Sequence, residues 1–358
     1  MGHAETEHRV ETLPYTWYVD PAVAAAEREH IFRRSWQYVG HTGELDGPGS
    51  LFPTQVGGLP LIVALDREGV LRAFLNVCRH RGTNLVSEPQ KRGTIQCPYH
   101  AWTYGLDGAL RGAPRSGDEP GFEMDDLGLV PAQVDTWGRF VFANPDPDAH
   151  SLADALGDLP TVMGENGLDV DRLRFHHRVD YEIGANWKIA LENYLECYHC
   201  RLNHPGLTRL IDEEAQKQET AALRLSQLPP LRRGAGGDGS PYALTGEAGA
   251  AQYHLLFPAT KLNVNPGRPN LSIGPVWPVA IDRTGARFDY FFGEDTDEDW
   301  IEEMLAFDDQ VGSEDVALVE AVQRGAGSGA LSHGRLLPRT EVLIAAFQDL
   351  VRERIDSV

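Results

Sequence analysis

Short apolar runs that alternate with glycine, proline and aspartate turns fill the chain from Gln37 to about Ala143. The clearest of these runs are LFPT, LIVAL, LRAFLNV and RFVFAN. Short β-branched and aromatic runs between turn residues predict a small all-β module. A helical pattern with a proline at its first position precedes this module at Asp20-Pro21, and the loop 144–148 (NPDPD) predicts its end.

The remainder of the chain has longer elements of both kinds. Its strand and helix patterns cover Arg174–Ile183, Asn186 to about Leu202, Lys261–Asn265, Leu271–Val279, Arg287–Gly293, Glu298–Arg324 and Pro338–Arg354. The polar segment from Glu213 to Glu247 predicts a mobile surface loop. We therefore expect an α+β fold, in which residues 38–145 form one domain. Residues 1–37 and 146–358 form a second, with an antiparallel sheet and surrounding helices.

Composition narrows the class of protein. A length of 358 residues favours about two domains. The formal charge of −21 repels a phosphate backbone, which argues against a nucleic-acid partner. The sequence has no run of about 18 apolar residues, so we expect no membrane span. Its four cysteines form two separated pairs and no disulfide framework, so we expect a cytoplasmic protein whose thiols bind metal.

Two short segments of mixed cysteine and histidine form the first candidate metal site. Cys78-Arg-His80 and Cys97-Pro-Tyr-His100 each offer one thiolate and one imidazole. Two such loops can place two sulfurs on one iron and two imidazoles on the other, as in two-iron clusters of raised reduction potential. A Cys2His2 zinc site uses the same ligand types. Structural zinc usually has about two to four residues between paired ligands, however, and Cys78 and His80 have one.

The second candidate site lies in the segment ENYLECYHCRLNHP. Two imidazoles with one carboxylate form a facial triad that leaves coordination positions open for dioxygen, and His199 and His204 offer the imidazoles. Five residues apart, they point to different sides of a regular helix, so we expect the helix to end or bulge before Pro205. Cys197-x-x-Cys200 leaves a redox-active cysteine pair as an alternative role for this segment.

Both segments resemble those of the Rieske non-heme iron oxygenases, large (α) subunits. The resemblance rests on CRHRG at 78–82, CPYHAWTY at 97–104 and the ENYLECYHCRLNHP segment, and it extends over essentially the whole chain. It implies an all-β Rieske [2Fe–2S] domain, a helix-grip catalytic domain and a head-to-tail homotrimer. The implied cluster ligands are Cys78, His80, Cys97 and His100. Ala101 stands where the family usually has glycine.

The resemblance also assigns catalytic residues. His199 and His204 bind the mononuclear iron, and Glu196 links that iron to a cluster histidine of a neighbouring subunit, in a position where aspartate is commoner. Asn193 belongs to the same catalytic motif. The third ligand is expected in EDVALVEAVQRG, where the resemblance favours Asp315. This leaves as alternatives the nearby acids Asp308, Asp309 and Glu314.

A reductive oxygenase is the function implied by this set of sites. The resemblance implies that a separate reductase, with or without a ferredoxin, passes electrons from NAD(P)H to the cluster, and that dioxygen is consumed. No G-x-G-x-x-G follows a strand pattern, so we expect nicotinamide and flavin on the partner. The NYLECYHC segment is closest to the branch acting on choline, carnitine and betaine. It predicts hydroxylation or N-demethylation of a small methylated amine.

Other functions fit the same residues. They are an aromatic-ring hydroxylating dioxygenase, a natural-product tailoring oxygenase and, from a different class, a Rieske electron-transfer protein without oxygenase iron. Aromatic faces bind quaternary ammonium groups, so an amine substrate predicts aromatic walls. The candidates are Tyr194, Tyr198, Tyr253, Phe257, Trp277, Tyr290 and Phe291.

Overall fold

The computed structural model describes residues 10–237 and 240–356. These residues divide into two compact units. One is formed by Arg28–Ala155, and the other by the residues up to Glu27 together with those from Leu156 onwards. Each unit has its own hydrophobic core. No helix in the described ranges is both long and apolar enough to cross a bilayer.

The Arg28–Ala155 unit is built from short antiparallel strands. They are β1 Gln37–His41, β2 Ser50–Val56, β3 Leu59–Leu65, β4 Leu71–Leu75, β5 Gln90–Lys91, β6 Thr94–Gln96, β7 Thr103–Gly105, β8 Leu110–Gly112, β9 Pro131–Trp137 and β10 Phe140–Asn144. Seven form a sheet in the order β1-β10-β9-β4-β3-β2-β5, and β6-β7-β8 form a smaller one. The apolar runs of the sequence become the buried strands β3 and β10, as their composition predicts.

The second unit contains a seven-stranded antiparallel sheet. Its strands are β11 Leu173–Ile183, β12 Lys217–Ala221, β13 Arg224–Leu228, β14 Gln252–Leu256, β15 Thr260–Val264, β16 Asn270–Ala280 and β17 Arg283–Gly293. Their order in the sheet is β11-β17-β16-β15-β14-β13-β12, so that β15 is the central strand. Apart from β11 at one edge, consecutive strands are neighbours in the sheet, as in a meander, and residues 229–251 form a long connection within it, between β13 and β14.

The helices of the chain range from one turn to eight. They are α1 Pro21–His30, α2 Leu152–Leu156, α3 Leu159–Glu165, α4 Trp187–Tyr194, α5 Cys200–Asn203, α6 Leu207–Leu210, α7 Glu298–Gly327 and α8 Val342–Asp356. Short 3₁₀ helices cover Tyr15–Tyr18, Phe32–Arg34, Thr42–Glu44, Met124–Leu127 and Val170–Arg172. The Asp297 carboxylate caps α7 by accepting a hydrogen bond from the backbone N–H of Trp300. Trp300, Met304 and Phe307 bury one face of α7 in the core.

Two expectations about local structure were wrong. The helix expected from Asn186 to about Leu202 is broken, because α4 ends at Tyr194 and the single turn α5 begins at Cys200. The polar segment from Glu213 onwards is not only loop, since it contains the β12–β13 hairpin. Strand pairing to β14 stabilises that hairpin, and a polar sequence pattern does not reveal it.

Candidate active site

The four predicted cluster ligands lie in two loops of matching backbone geometry. In the first, the N–H of Cys78 donates to the carbonyl of Thr83, and the Cys78 carbonyl accepts from Gly82. In the second, Cys97 makes the same pair of bonds with Trp102 and Ala101. The residue four after each cysteine has a left-handed conformation, with φ of 75° at Gly82 and 58° at Ala101. Each loop therefore folds back on its cysteine and holds the sulfur in a fixed place.

The cysteine and histidine side chains of these loops occupy different surroundings. The sulfurs of Cys78 and Cys97 are buried, whereas His80 and His100 are exposed. The two imidazole rings lie 4.7 Å apart, edge to face. Burial raises the pKa of Cys97, but the backbone N–H groups of Tyr99 and His100 lower it below its usual value. One buried thiol with a lowered pKa, a second buried thiol and two neighbouring imidazoles at the surface fit a mixed-ligand [2Fe–2S] cluster.

Aromatic side chains support both loops. The Tyr104 hydroxyl lies 3.3 Å from the Cys78 sulfur and accepts a hydrogen bond from the Arg79 backbone. The Trp102 ring stacks on His80 with 4.9 Å between centroids. Trp102 and Tyr104 therefore pack against the loops that carry the predicted cluster ligands.

The second set of predicted ligands converges at the break between α4 and α5. His199 is the residue before α5 and His204 the residue after it, so one short helical turn separates them. The Glu196 carboxylate accepts hydrogen bonds from the backbone N–H groups of Tyr198 and His199. Those N–H groups cannot then continue α4, which explains why the helix ends before the histidines.

Three potential ligand atoms meet at one point. The Nε2 atoms of His199 and His204 are 3.1 Å apart. The Asp315 Oδ1 atom, on α7, lies 3.3 Å from the first and 3.0 Å from the second. Ligands about 2.1 Å from one ion and at right angles to each other are about 3.0 Å apart, so this is the spacing of a facial triad. The helix break therefore permits the convergence that a regular helix would prevent.

A second layer of polar side chains holds the three ligands. Glu196 contacts Nδ1 of His199, and Glu314 Oε2 lies 2.7 Å from Nδ1 of His204. The Asn193 side chain donates to Asp315 Oδ1 over 3.2 Å. A carboxylate that accepts the Nδ1 proton leaves the Nε2 lone pair available for a metal.

The electrostatics of this site favour a bound cation. Burial lowers the pKa of His199, but hydrogen bonds with Asp315 and Glu196 outweigh it and raise the pKa to about 9. Burial raises the pKa of Asp315, and hydrogen bonds with His199 and His204 reverse the effect, so that its pKa lies below the usual value. A metal ion can replace the protons that these carboxylates attract. The donor set of two imidazoles and a carboxylate suits ferrous iron.

A cavity of about 280 Å³ is lined by the three converging residues. The rings of Tyr194, Tyr253 and Tyr290 also line it, as predicted. The other proposed walls, Phe257, Phe291, Trp277 and Tyr198, are not among its lining residues: Phe257 and Phe291 are buried in the core, and Tyr198 is exposed to solvent.

Sequence reasoning did not predict the roles of several residues in or beside the cavity. Glu314 was an alternative iron ligand. Its carboxylate instead contacts Nδ1 of His204, one of the proposed ligands. Asp308, another alternative, accepts hydrogen bonds from Tyr290 and Asn265. Lys261 was read only as part of a strand. The alternation in TKLNV, with Lys261 and Asn263 on one face, was the available signal.

Cys197 and Cys200 are joined by a disulfide, with 4.9 Å between their Cα atoms. We expected thiols that bind metal. This pair instead forms a disulfide. The Cys200 sulfur lies within 4.8 Å of the ligand atoms of His199 and His204. Because that sulfur is bonded to Cys197, Asp315 is the better third donor.

Comparison with known families identifies both units. Residues 35–129 match the Rieske [2Fe–2S] domain, and residues 170–357 match the catalytic domain of the ring-hydroxylating α subunit. The chain belongs to the Rieske oxygenase α subunits. A Rieske electron-transfer protein is excluded by the catalytic domain, and members of this family carry a [2Fe–2S] cluster and a mononuclear iron.

Several Rieske oxygenases resemble this one over most of their length. The carnitine monooxygenase oxygenase subunit of Escherichia coli K12 is 33% identical over 91% of this chain and 87% of its own. The chloroplastic choline monooxygenase of Spinacia oleracea is 32% identical over 90% and 74% of the two chains. A solved quaternary ammonium Rieske monooxygenase, described for carnitine oxidation and inter-subunit electron transfer, superimposes with a TM-score of 0.85 at 31% identity, covering 96% and 95%.

More distant Rieske oxygenases share the fold. A naphthalene 1,2-dioxygenase with indole bound has a TM-score of 0.78 at 21% identity, over 97% of this chain and 92% of that one. The α+β architecture, with an all-β domain and a helix-grip catalytic domain, is therefore confirmed.

Proposed function

We propose that this Rieske oxygenase hydroxylates or N-demethylates a small methylated amine. The observation that carries the proposal is the cavity in which aromatic rings and carboxylates share a lining with the facial triad. The proposed cluster ligands are Cys78, His80, Cys97 and His100, and the proposed iron ligands are His199, His204 and Asp315. Iron bound there supplies the activation of dioxygen with electrons received from the cluster.

The protein's own side chains prepare this chemistry. Glu196 and Glu314 accept the Nδ1 protons of the two histidines, which fixes each ring with Nε2 towards the ion. Asn193 donates to Asp315 and restrains its carboxylate. We propose Glu196 and Asn193 as catalytic-site residues on this basis, and Glu196 also as the link to a neighbouring cluster.

Substrate class is supported by ring chemistry and by the relatives. The faces of Tyr253 and Tyr290 can attract a quaternary ammonium group through their quadrupoles. The half-buried Asp308 adds a carboxylate to the same cavity. The relatives that act on carnitine and choline have substrates of this kind.

The remaining features of the proposal concern organisation. We propose a Rieske domain at 38–145, with residues 1–37 and 146–358 forming the catalytic domain. Electrons come from NAD(P)H through a separate flavin reductase, with or without a ferredoxin, in the cytoplasm. We propose a homotrimer, and light scattering of the purified protein measures its mass.

Turnover with a surrogate reductase tests the function. Hydroxylation consumes one dioxygen, two electrons and two protons, and it yields the alcohol and water. When an N-methyl group is hydroxylated, its C–N bond then breaks to give formaldehyde and the demethylated amine. We expect mass spectrometry to detect one of these products from a panel of carnitine, γ-butyrobetaine, choline and glycine betaine.

A matched variant separates turnover from background oxidation. His204→Ala should abolish product formation but leave the cluster spectrum intact. The proposal fails if no methylated amine is converted while aromatic hydrocarbons are oxidised by the same preparation.

A further inference from the structure

A lysine lies in the wall of the catalytic cavity on the central strand of the sheet. Along β15, the side chains of Thr260, Leu262 and Val264 are fully buried on one face. Lys261 and Asn263 alternate with them and line the cavity. A lysine in this position therefore presents its ammonium to whatever the cavity binds.

Two aromatic rings contact the ammonium of the Lys261 side chain. Its Nζ atom lies 4.1 Å from the centroid of the Tyr194 ring and 5.1 Å from that of Phe288. Tyr194 is itself fixed, because its hydroxyl donates to Asn263 Oδ1 over 2.6 Å. The ammonium is thus positioned by packing and cation–π contact.

The ammonium has no anionic partner within the described ranges 10–237 and 240–356. Two carboxylates favour its charged form from a distance, Asp308 and Asp315. Each is already engaged, the first with Tyr290 and Asn265 and the second with the iron-site histidines. Burial lowers the pKa of Lys261 to about 8, and a nearby anion would offset that effect.

We propose that Lys261 binds a carboxylate group of the substrate. An unpaired cation in a cavity is unfavourable unless a bound anion compensates it, and carboxylates pair well with lysine. The inference rests on the proposed function for the amine half of the substrate only. The proposed function and the Lys261 site together specify a zwitterionic substrate. This is a methylated amine that also carries a carboxylate, in preference to a simple cation such as choline.

Ligand binding to the holoenzyme without dioxygen tests this proposal. Equilibrium dialysis compares γ-butyrobetaine with its neutral-ended carboxamide, which has nearly the same size and the same cation. We expect the wild type to prefer the acid. Lys261→Met, which fills the space without charge, should weaken binding of the acid about 30-fold or more and leave the amide and choline unaffected. Lys261→Arg should keep the preference.

A surface lysine provides the matched control. Lys217 lies on β12 with a largely exposed side chain, so Lys217→Met should bind both ligands as the wild type does. Cluster absorption and melting temperature show whether each variant is folded. If Lys261→Met binds the acid as tightly as the wild type does, or if the wild type does not discriminate acid from amide, the proposal is overturned.

Failure of the proposed function has a different signature. If no methylated amine binds, amine-free carboxylates such as 4-methylpentanoate and phenylacetate decide the role of Lys261. Binding that is lost in Lys261→Met supports the carboxylate site while the amine function falls. Absence of binding by any carboxylate overturns the site itself.

Discussion

Ala101 carries backbone strain that its counterpart does not. It matches Gly82 in its loop hydrogen bonds and in its positive φ, but it has a Cβ atom. A non-glycine residue in the left-handed region costs about 1–2 kcal/mol. The loop tolerates this cost because the bonds from Cys97 to Trp102 and Ala101 determine its path.

Replacing this alanine by glycine should stabilise the cluster-bearing unit. Relief of the strain is partly offset by the larger conformational freedom of glycine in the unfolded chain, about 0.4–1 kcal/mol. We therefore expect Ala101→Gly to gain about 0.5–1 kcal/mol, measured by thermal unfolding of the cluster-loaded protein. Ala132→Gly, in strand β9, is the control and should destabilise. A lower melting temperature for Ala101→Gly would contradict the strain argument.

The role of Glu314 leads to a second prediction. Its carboxylate accepts from His204 Nδ1 at 2.7 Å, so its removal should leave the ring free to reorient. Loss of such a partner lowers metal affinity about 10–100-fold, which we expect for Glu314→Ala. Glu314→Gln keeps an acceptor oxygen and should lose less.

Competition with a ferrous chelator measures the affinity of the Glu314 variants. Glu303→Ala removes an exposed acid from the same helix and should leave iron affinity unchanged. Equal affinities for Glu314→Ala and Glu303→Ala would show that Glu314 does not position His204.

At the scale of residues, the sequence predicted which side chains come together where the proposed ligands are close in the chain. The Cys-His pairs of the two loops and the two histidines around α5 need only local geometry, and motif spacing captures it. Asp315 came from resemblance, since 111 residues separate it from His204 and spacing says nothing about that distance. The contacts of Glu314 and Lys261 depend on which face of α7 and of β15 is turned towards the site. Only the tertiary structure shows this.

At the scale of elements, the long apolar patterns predicted strands and helices better than the polar ones did. β10 and α7 follow from their patterns, because burial dominates their energies. The end of α4 could not be read from periodicity. It depends on the Glu196 side chain competing with the helix for backbone N–H groups.

Strand β14 contains a histidine that should make the catalytic unit sensitive to acid. His254 is fully buried, with Nδ1 at 2.7 Å from the Ser226 hydroxyl, and burial lowers its pKa to about 3. In the unfolded chain the value is about 6.5. Between these values the unfolded chain binds more protons, so stability is lost as pH falls below about 6.5, by about 1.4 kcal/mol per pH unit.

Removing the buried imidazole should reduce this dependence. We expect wild-type stability to fall by about 2 kcal/mol between pH 7 and pH 5 through His254 alone, and His254→Gln to lack that contribution. Denaturant unfolding at several pH values gives the slopes. His333→Gln, at an exposed position, is the control. Parallel slopes for wild type and His254→Gln would refute the assignment.

At the scale of the whole molecule, the two proposed metal sites belong to different compact units. The proposed cluster ligands lie within Arg28–Ala155, and the proposed iron ligands lie in the unit that continues from Leu156. All the proposed ligands of each centre therefore come from a single unit. Loss of one centre should therefore leave the other assembled, even though turnover requires both.

Paired variants test that independence by iron analysis and spectroscopy. The wild type should hold two irons in the cluster and one at the triad, about three per chain. His204→Ala should retain about two irons with the visible absorption of the cluster, because only the triad loses a ligand. Cys97→Ala should lose the cluster absorption and keep about one iron, since the triad donors are untouched. Both variants should be inactive.

If His204→Ala also lost the cluster, or if Cys97→Ala bound no ferrous iron, the two centres would depend on each other for assembly. The division of ligands between the units would then be insufficient to explain how this oxygenase acquires its metals.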